Sequence, residues 1–194
     1  MKILGISGSP RKDGNTNLLV KEALKVCAEK GAKTDFIGLA GKNIKFCDNC
    51  DACAGGKMPC PKEDDVQMIL DAMEQADALI IGSPTYFGSV SGQLKTLFDR
   101  TMPLRRSNFR LSGKIGGAIA VGGSRNGGQE NVICDIQNWM MIHEMIVVAD
   151  KKTAHFGGIA VGRNPGDALK DDVGVATVRN LGERVFEVVK KTTK

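Results

Sequence analysis

Aromatic side chains, long apolar runs and dense basic runs are all scarce in this chain of 194 residues. Aromatics make up 5% of it, so the stacking surfaces that single-stranded nucleic acids need are poorly supplied. The formal net charge is +5, but no dense run of Lys and Arg carries it, so nothing indicates a nucleic-acid partner. No apolar run approaches the roughly 20 residues that cross a bilayer, and we expect no contact with a membrane.

The amino terminus lacks the longer apolar stretch of a secretory signal peptide. We therefore expect a cytoplasmic protein, a setting in which disulfides are uncommon. The chain nevertheless contains six cysteines, and four of them lie close together in the sequence. These cysteines need an explanation other than disulfide bonding.

Short apolar runs alternate along the chain with segments of helical periodicity. The apolar runs predict strands at residues 3–7, 33–38, 78–82, 114–121 and 145–149. The periodic segments predict helices at residues 16–30, 64–75, 92–101, 128–142 and 173–189. Strands that alternate with helices form a parallel sheet covered on both faces. We expect an α/β fold, a single domain over residues 1–194, with five parallel strands in the flavodoxin-like doubly wound order 2-1-3-4-5.

Residues 39–63 do not fit this alternation. They are rich in Gly and Cys, show no periodicity and follow the second predicted strand. We interpret them as a loop insertion, referred to below as the cysteine insertion. It leaves the carboxyl end of a strand, which is the edge where doubly wound sheets bind their ligands.

Polar loops follow the first, third and fourth predicted strands, and the third of these loops covers residues 122–130. The first loop, residues 7–17, offers hydroxyls, amides, Arg11 and the free N–H groups of a helix start, which suits a phosphate. It has neither a P-loop ending nor a G-x-G-x-x-G pattern, so a terminal monophosphate such as that of FMN fits better than a dinucleotide. The second loop, residues 83–92, could border a flat heteroaromatic ring with its Tyr and Phe. Taken singly, these loops could also be a capped turn and a sheet cap without any ligand.

The clustered cysteines have the spacing C-x2-C-x2-C-x6-C, and a proline follows the last. They are Cys47, Cys50, Cys53 and Cys60. Three thiolates at this spacing can hold three corners of a [4Fe–4S] cluster, as in bacterial ferredoxins. Structural zinc is an alternative, although zinc ribbons pair two C-x2-C units about 15–20 residues apart. Thiol redox chemistry is a third, but a C-x-x-C of that kind begins a helix.

Together, the stretches SGSPRKDGNTN, SPTYFGSVSGQLKTLFDRT and GGQE resemble the NAD(P)H-dependent FMN reductase and multimeric flavodoxin-like families. The resemblance covers nearly the whole chain outside residues 39–63. It implies that the first loop holds the FMN phosphate, the second borders the isoalloxazine and the third closes over the ring. The FMN-binding residues it implies are Ser7, Ser9, Arg11, Asn15, Thr16, Asn17, Pro84, Thr85, Tyr86, Phe87, Gly88, Ser124, Arg125 and Gly128.

With its cysteine insertion, the chain resembles the iron–sulfur flavoproteins of anaerobic archaea and bacteria. The resemblance implies one FMN and one [4Fe–4S] cluster per subunit, the four clustered cysteines as metal ligands, and electrons passing between the two cofactors. It also implies a homodimer or homotetramer. We expect anaerobic electron transport with a donor such as ferredoxin or NAD(P)H, or reduction of oxygen species, and a small-molecule or protein acceptor. No catalytic acid or base is assigned.

Two other functions remain as alternatives. The first is an NAD(P)H-dependent FMN or quinone reductase with a structural metal in the cysteine loop. The absence of a pyridine-nucleotide fingerprint weighs against it. The second is a zinc-stabilised binding module that has lost FMN, and the intact first loop argues against it.

Other chemistry-bearing residues are interpreted as structural. Cys27 and Cys134 lie among apolar residues of predicted helices, which favours buried core thiols. His143 and His155 are isolated in the sequence, and either could relay protons to a reduced flavin, but a lone histidine is more often structural. Trp139 is predicted to pack in the core or at a subunit contact.

Overall fold

The computed structural model describes residues 1–56 and 60–192 and shows strands alternating with helices. The strands are β1 (Lys2–Ser7), β2 (Lys33–Gly38), β3 (Ala78–Pro84), β4 (Ile115–Gly122), β5 (Ile146–Val148) and β6 (Gly158–Val161). The helices are α1 (Asn15–Glu29), α2 (Val66–Gln75), α3 (Gly92–Asp99), α4 (Met102–Arg106), α5 (Gln129–Ile142) and α6 (Asp172–Thr192). Short 3-10 turns cover Ala54–Gly56 and Asp167–Lys170.

The sheet has the strand order β2-β1-β3-β4-β5, and every pairing between these strands is parallel. This confirms the predicted doubly wound, flavodoxin-like topology. Strands β1, β3 and β4 are buried along almost their whole length, because helices cover both faces of the sheet. Ligands therefore reach the sheet at the ends of its strands.

The outer strand beside β4 is divided in two. Strand β5 pairs with Ile115–Gly117 of β4, and β6 pairs with Ile119–Gly122. The loop 149–157 separates them along the chain. The sequence predicts only the first half, since β6 has four residues and begins with a glycine. Helix α4 also escapes prediction, because it is a single short turn with a proline near its start.

Two cores lie on opposite faces of the sheet. Helices α1 and α6 pack on the side of Ile3 and Ile80. Helices α2, α3 and α5 pack on the side of Leu4 and Leu79. These neighbours in β1 and β3 point to opposite faces because side chains alternate along a strand. Among the described residues, no helix is long and apolar enough to cross a membrane.

The two cysteines outside the insertion have different surroundings. Cys27 on α1 is fully buried, its thiol contacts the Gly182 carbonyl oxygen at 3.3 Å, and burial raises its pKa to about 12. Cys134 on α5 is exposed, so its assignment to the core is wrong. Helix α5 buries Val132 and Ile136 instead, and Cys134 lies away from that side of the helix.

Candidate functional site

A cavity of about 230 Å³ lies at the carboxyl ends of β1, β3 and β4, and we call it the strand-end cavity. It brings together the three polar loops that the sequence places after these strands. The predicted residues that line it are Ser9, Arg11, Asn15, Thr16, Pro84, Thr85 and Tyr86. Among the described residues, its lining includes arginines but no acidic side chain, so it suits an anionic ligand.

The first loop is shaped by its own side chains. Asn17 donates from Nδ2 to the carbonyl oxygens of Arg11 (3.1 Å) and Lys12 (2.6 Å). The buried Ser7 hydroxyl accepts from the Ser9 backbone N–H at 3.3 Å. Ser7 and Asn17 therefore support the loop without lining the cavity.

The start of α1 faces the same cavity. Its N-cap residue is Gly14, and no side chain caps the helix there. Asn15 and Thr16 follow in the first turn and line the cavity. Backbone N–H groups in a first helical turn have no partner within the helix, and together with the helix dipole they favour a phosphate.

The segment after β6 supplies a further wall that sequence reasoning missed. Gly162, Arg163 and Pro165 line the strand-end cavity. Asn15 holds this segment in place by donating to the Asn164 carbonyl oxygen at 2.9 Å. One sequence feature could have predicted this wall. The apolar run 159–161 is followed at once by a glycine and an arginine, which repeats the pattern of a strand and then a loop seen at β1 and β4.

The second loop contributes a buried hydroxyl that lacks a partner. The Thr85 backbone N–H donates to the Val121 carbonyl oxygen at 2.8 Å, but Thr85 Oγ1 has no hydrogen-bond partner within the described chain. Tyr86 lines the cavity and is partly exposed. Phe87 and Gly88 form the tip of the turn at positive φ, outside the lining, and Phe87 is fully exposed.

The third loop packs against the second. Gln129 accepts from the Gly127 backbone N–H at Oε1 (2.7 Å) and donates from Nε2 to the Ser124 carbonyl oxygen (2.7 Å). Gly128 has φ of 95°, and a Cβ there would lie 3.1 Å from Gly88 Cα. Ser124 and Gly128 thus set the shape of the loop and do not line the cavity.

Arg125 also lies outside the lining. Its Nη2 pairs with Asp171 Oδ1 at 3.2 Å, and its side chain is exposed. The positive groups in the lining are instead Arg11, from the first loop, and Arg163, from the segment after β6.

All four clustered cysteines line a second, smaller hollow, which we call the cysteine hollow. It lies between the cysteine insertion and the corner where α3 meets α4, with Arg100 and Arg106 in its lining. Within residues 1–56 and 60–192, no three Cys, His, Asp or Glu side chains are grouped closely enough to hold a metal ion. The thiols therefore surround one space without meeting at a point.

A buried ion pair closes the base of the cysteine insertion. Arg100 Nη1 donates to Asp64 Oδ2 (2.6 Å) and to the Lys45 carbonyl oxygen (2.7 Å). Asp64 in turn accepts from the backbone N–H groups of Lys45 (2.9 Å) and Val66 (3.1 Å). Burial opposes both charges, but the hydrogen bonds outweigh it, so the pKa of Asp64 is lowered and that of Arg100 is raised.

Guanidinium groups also contact two of the cysteines. Arg100 Nη2 lies 3.6 Å from Cys60 Sγ, and Arg106 Nη1 lies 3.6 Å from Cys53 Sγ. Arg100 Nε is buried and has no hydrogen-bond partner among the described residues. An anionic, sulfur-rich group in the hollow would give these donors acceptors, so the four thiols and two guanidiniums fit a cysteine-ligated iron–sulfur cluster.

A third cavity, of about 580 Å³, adjoins the cysteine insertion, and we call it the side cavity. Its lining includes Cys47 of the insertion and Ser89 of the second loop. Trp139 stacks on Phe98 in its wall, with ring centroids 4.6 Å apart. Trp139 is 7% exposed and belongs to the buried cluster on the Leu4 side of the sheet, which confirms the first of its two predicted roles, packing in the core.

The two histidines lie outside the lining of the strand-end cavity. His143 is buried at the end of α5, with Nε2 2.9 Å from Thr101 Oγ1. Burial, reinforced by the charge of Arg105, lowers its pKa to about 4, so the ring is neutral at pH 7. His155 lies in the loop 149–157, and its backbone N–H donates to Asp150 Oδ1 at 3.0 Å.

Comparison with known proteins adds to this geometry. Residues 1–157 match the model of the NADPH-dependent FMN reductase family. The chain is 56% identical over 196 positions to an iron–sulfur flavoprotein of Methanocaldococcus jannaschii, and the match covers all of both chains. It is 44% identical over 194 positions to the iron–sulfur flavoprotein of Methanosarcina thermophila, covering 100% of this chain and 98% of that protein. Among solved structures, a flavodoxin, WrbA-like protein of Agrobacterium tumefaciens superposes with a TM-score of 0.69 at 18% identity, covering 98% of this chain and 97% of that one.

Proposed function

Because this chain belongs to the iron–sulfur flavoproteins of the NADPH-dependent FMN reductase superfamily, its role is flavin-based redox chemistry, and we propose that its FMN exchanges electrons with a [4Fe–4S] cluster. The four clustered cysteines would be the ligands of that cluster. The observation that carries the proposal is the cysteine hollow, where all four thiols and two arginines surround one space.

Different residues of the strand-end cavity would bind different parts of the FMN. Arg11, Ser9 and the first turn of α1 would bind the phosphate, because they offer N–H and hydroxyl donors and a positive charge at one place. Thr85 and Tyr86 would border the ring, with the Thr85 hydroxyl supplying a hydrogen bond that no described residue takes. When bound, FMN would take up two electrons, together or one at a time, and the cluster would take up one, so the protein would couple two-electron and one-electron transfer.

The side cavity adjoins a segment of each of the two candidate sites. Its lining reaches from Cys47 of the cysteine insertion to Ser89 of the loop that would border the ring. The stacked pair of Phe98 and Trp139 forms part of the same wall. The segment that would hold the cluster and the loop that would border the flavin thus lie along the same cavity.

The proposal also includes an electron donor and an electron acceptor for the protein. A ferredoxin-type donor and a small-molecule or protein acceptor would place the chain in anaerobic electron transport or in the reduction of oxygen species. The expected homodimer or homotetramer follows from the family resemblance, and sedimentation of the flavin-loaded protein measures it.

Purification under anaerobic conditions, with a count of iron, sulfide, zinc and flavin, tests the proposal. We expect about four iron, four sulfide and one FMN per chain. Cys53→Ser is expected to lose iron and keep FMN, because its side chain lines the cysteine hollow and not the strand-end cavity. Cys134→Ser, which changes an exposed thiol outside the hollow, is the matched control and should keep both. A preparation with neither iron nor flavin would overturn the proposal.

A second candidate is an NAD(P)H-dependent FMN or quinone reductase with a structural metal held by the cysteines. The match of residues 1–157 to the FMN reductase family favours it. Zinc and FMN in the purified protein, together with stoichiometric oxidation of NADPH, would support this reading over the first. Reduction by ferredoxin but not by NADPH would exclude it.

A further inference from the structure

One guanidinium joins the two chain segments that flank the four clustered cysteines. Arg100, which follows α3, bonds the Lys45 carbonyl oxygen just before the first cysteine and Asp64 just after the last one. The side chains of Arg100 and Asp64 are 2% and 0% exposed. The ion pair is therefore shielded from solvent, and with the bond to Lys45 it ties the segment before Cys47 to the segment after Cys60.

The same guanidinium also has a donor close to sulfur and a donor without an acceptor. Its Nη2 donates to Asp64 Oδ1 at 3.2 Å and lies 3.6 Å from Cys60 Sγ. Its Nε is buried without a hydrogen-bond partner in the described part of the chain. A buried N–H that lacks an acceptor costs free energy, so its presence indicates that a bound group supplies one. Arg100 lines the cysteine hollow, where that group would lie.

We propose that Arg100 is a positioning residue of the iron–sulfur site that sets the reduction potential of the cluster. This inference rests on the proposed function, since it requires a cluster in the hollow. Arg100 holds the insertion closed through Asp64 and Lys45, and it donates to Cys60 and to a further sulfur with the N–H groups that remain.

The direction of the effect follows from charge. The reduced cluster carries one more negative charge than the oxidised cluster. A buried positive group that donates hydrogen bonds to its sulfurs therefore stabilises the reduced form and raises the potential. Asp64 acts in the opposite sense, because the buried carboxylate that pairs with Arg100 carries a negative charge and stabilises the oxidised form.

Two substitutions that break the same ion pair distinguish an effect of Arg100 on the reduction potential of the cluster from a purely structural role. Arg100→Gln removes the positive charge and the donors to sulfur, whereas Asp64→Asn removes the negative charge and leaves Arg100 in place. Both should lower thermal stability. In a potentiometric titration of the holoprotein followed by electron paramagnetic resonance, we expect opposite shifts. At a fixed solution potential, the ratio of reduced to oxidised cluster should fall by about tenfold in Arg100→Gln and rise in Asp64→Asn.

Arg100→Lys keeps the positive charge but loses the planar set of guanidinium N–H donors. Its midpoint potential should shift in the same direction as that of Arg100→Gln, by a smaller amount. Arg110→Gln is the charge-matched control, because Arg110 pairs with Glu74 and is absent from the lining of the cysteine hollow. Arg110→Gln should leave the midpoint potential of the cluster unchanged.

The outcomes separate this inference from the function on which it rests. A wild-type protein without iron overturns the proposed function. A wild-type protein with iron, but with the same midpoint in all the variants or with equal shifts in Arg100→Gln and Asp64→Asn, overturns the role of Arg100 alone. If Arg100→Gln binds no cluster, the comparison of Arg100→Lys with Asp64→Asn decides, and equal midpoints for these two overturn the inference.

Discussion

At the scale of single residues, the buried Thr85 hydroxyl connects the structure most directly with a ligand. It lines the strand-end cavity and lacks a partner among the described residues. Thr85→Val replaces the hydroxyl by a methyl group of similar size. We expect FMN to bind about tenfold more weakly, the equivalent of about 1.4 kcal/mol, with little change in the stability of the apoprotein. Fluorescence titration of the apoprotein with FMN measures the affinity.

Thr177→Val provides the matched control. The Thr177 hydroxyl donates to the Gly174 carbonyl oxygen at 2.7 Å and accepts from the Ile159 backbone N–H at 2.9 Å, away from the cavity. Its loss should lower stability by about 1–3 kcal/mol and leave FMN affinity unchanged. Equal FMN affinities of Thr85→Val and wild type would show that the Thr85 hydroxyl does not contact the flavin.

His143 gives the protein a pH dependence in the acid range. Its pKa is about 4 in the folded chain, below the usual value of about 6.5, chiefly because burial disfavours the charged ring. Between these two values the unfolded chain binds a proton that the folded chain excludes. Stability should therefore fall by up to about 3 kcal/mol as the pH drops from about 6.5 to about 4.

Urea unfolding at pH 7 and pH 4.5 measures this dependence. His143→Gln, which keeps a hydrogen-bond donor beside Thr101, should be less stable than wild type at pH 7 and should lose less stability on acidification. The same pH dependence in both proteins would show that other groups cause it.

At the scale of elements, helices α1 and α6 approach closely at one glycine. A Cβ on Gly182 would lie 2.6 Å from the Ala23 carbonyl oxygen, and backbone atoms cannot move aside cheaply. Gly182→Ala should therefore lower the free energy of unfolding by about 1–3 kcal/mol. Gly92→Ala is the control, because a Cβ there meets nothing within 4 Å. Thermal unfolding checks both, and equal melting temperatures for the two variants would contradict the close packing.

The sequence predicts elements best where burial is simple. Strands β1 and β3 are buried on both faces and read as continuous apolar runs, so their positions were predictable. Strand β6 is not predicted because it is short and begins with glycine. The three residues after it that line the strand-end cavity are therefore not predicted either. Cys134 was misplaced because its apolar neighbours along the sequence face the core while it does not.

The cysteine insertion is recognisable from its composition and its cysteine spacing, but its internal contacts are not. Apart from one 3-10 turn, its described residues form no regular element, so no periodicity marks its contacts. The ion pair of Arg100 with Asp64 joins residues 36 positions apart. A lone arginine at the end of a helix gives no sequence signal for such a contact.

At the scale of the whole molecule, the doubly wound sheet explains why the candidate flavin residues meet. The carboxyl ends of β1, β3 and β4 lie side by side, so loops distant in the sequence share one cavity. The cysteine insertion follows β2 and folds against the corner of α3 and α4. One chain therefore carries two separate candidate sites, and the side cavity adjoins a loop of each.

The proposed function requires that one chain hold both a flavin and an iron–sulfur cluster that take up electrons. Anaerobic titration of the purified protein with dithionite, followed by visible absorption and electron paramagnetic resonance, tests it most directly. We predict about three electrons per chain, two for FMN and one for the cluster, with a paramagnetic signal from the reduced cluster. Uptake of only two electrons per chain, with full bleaching of the flavin and no cluster signal, would show that the chain carries no redox-active cluster.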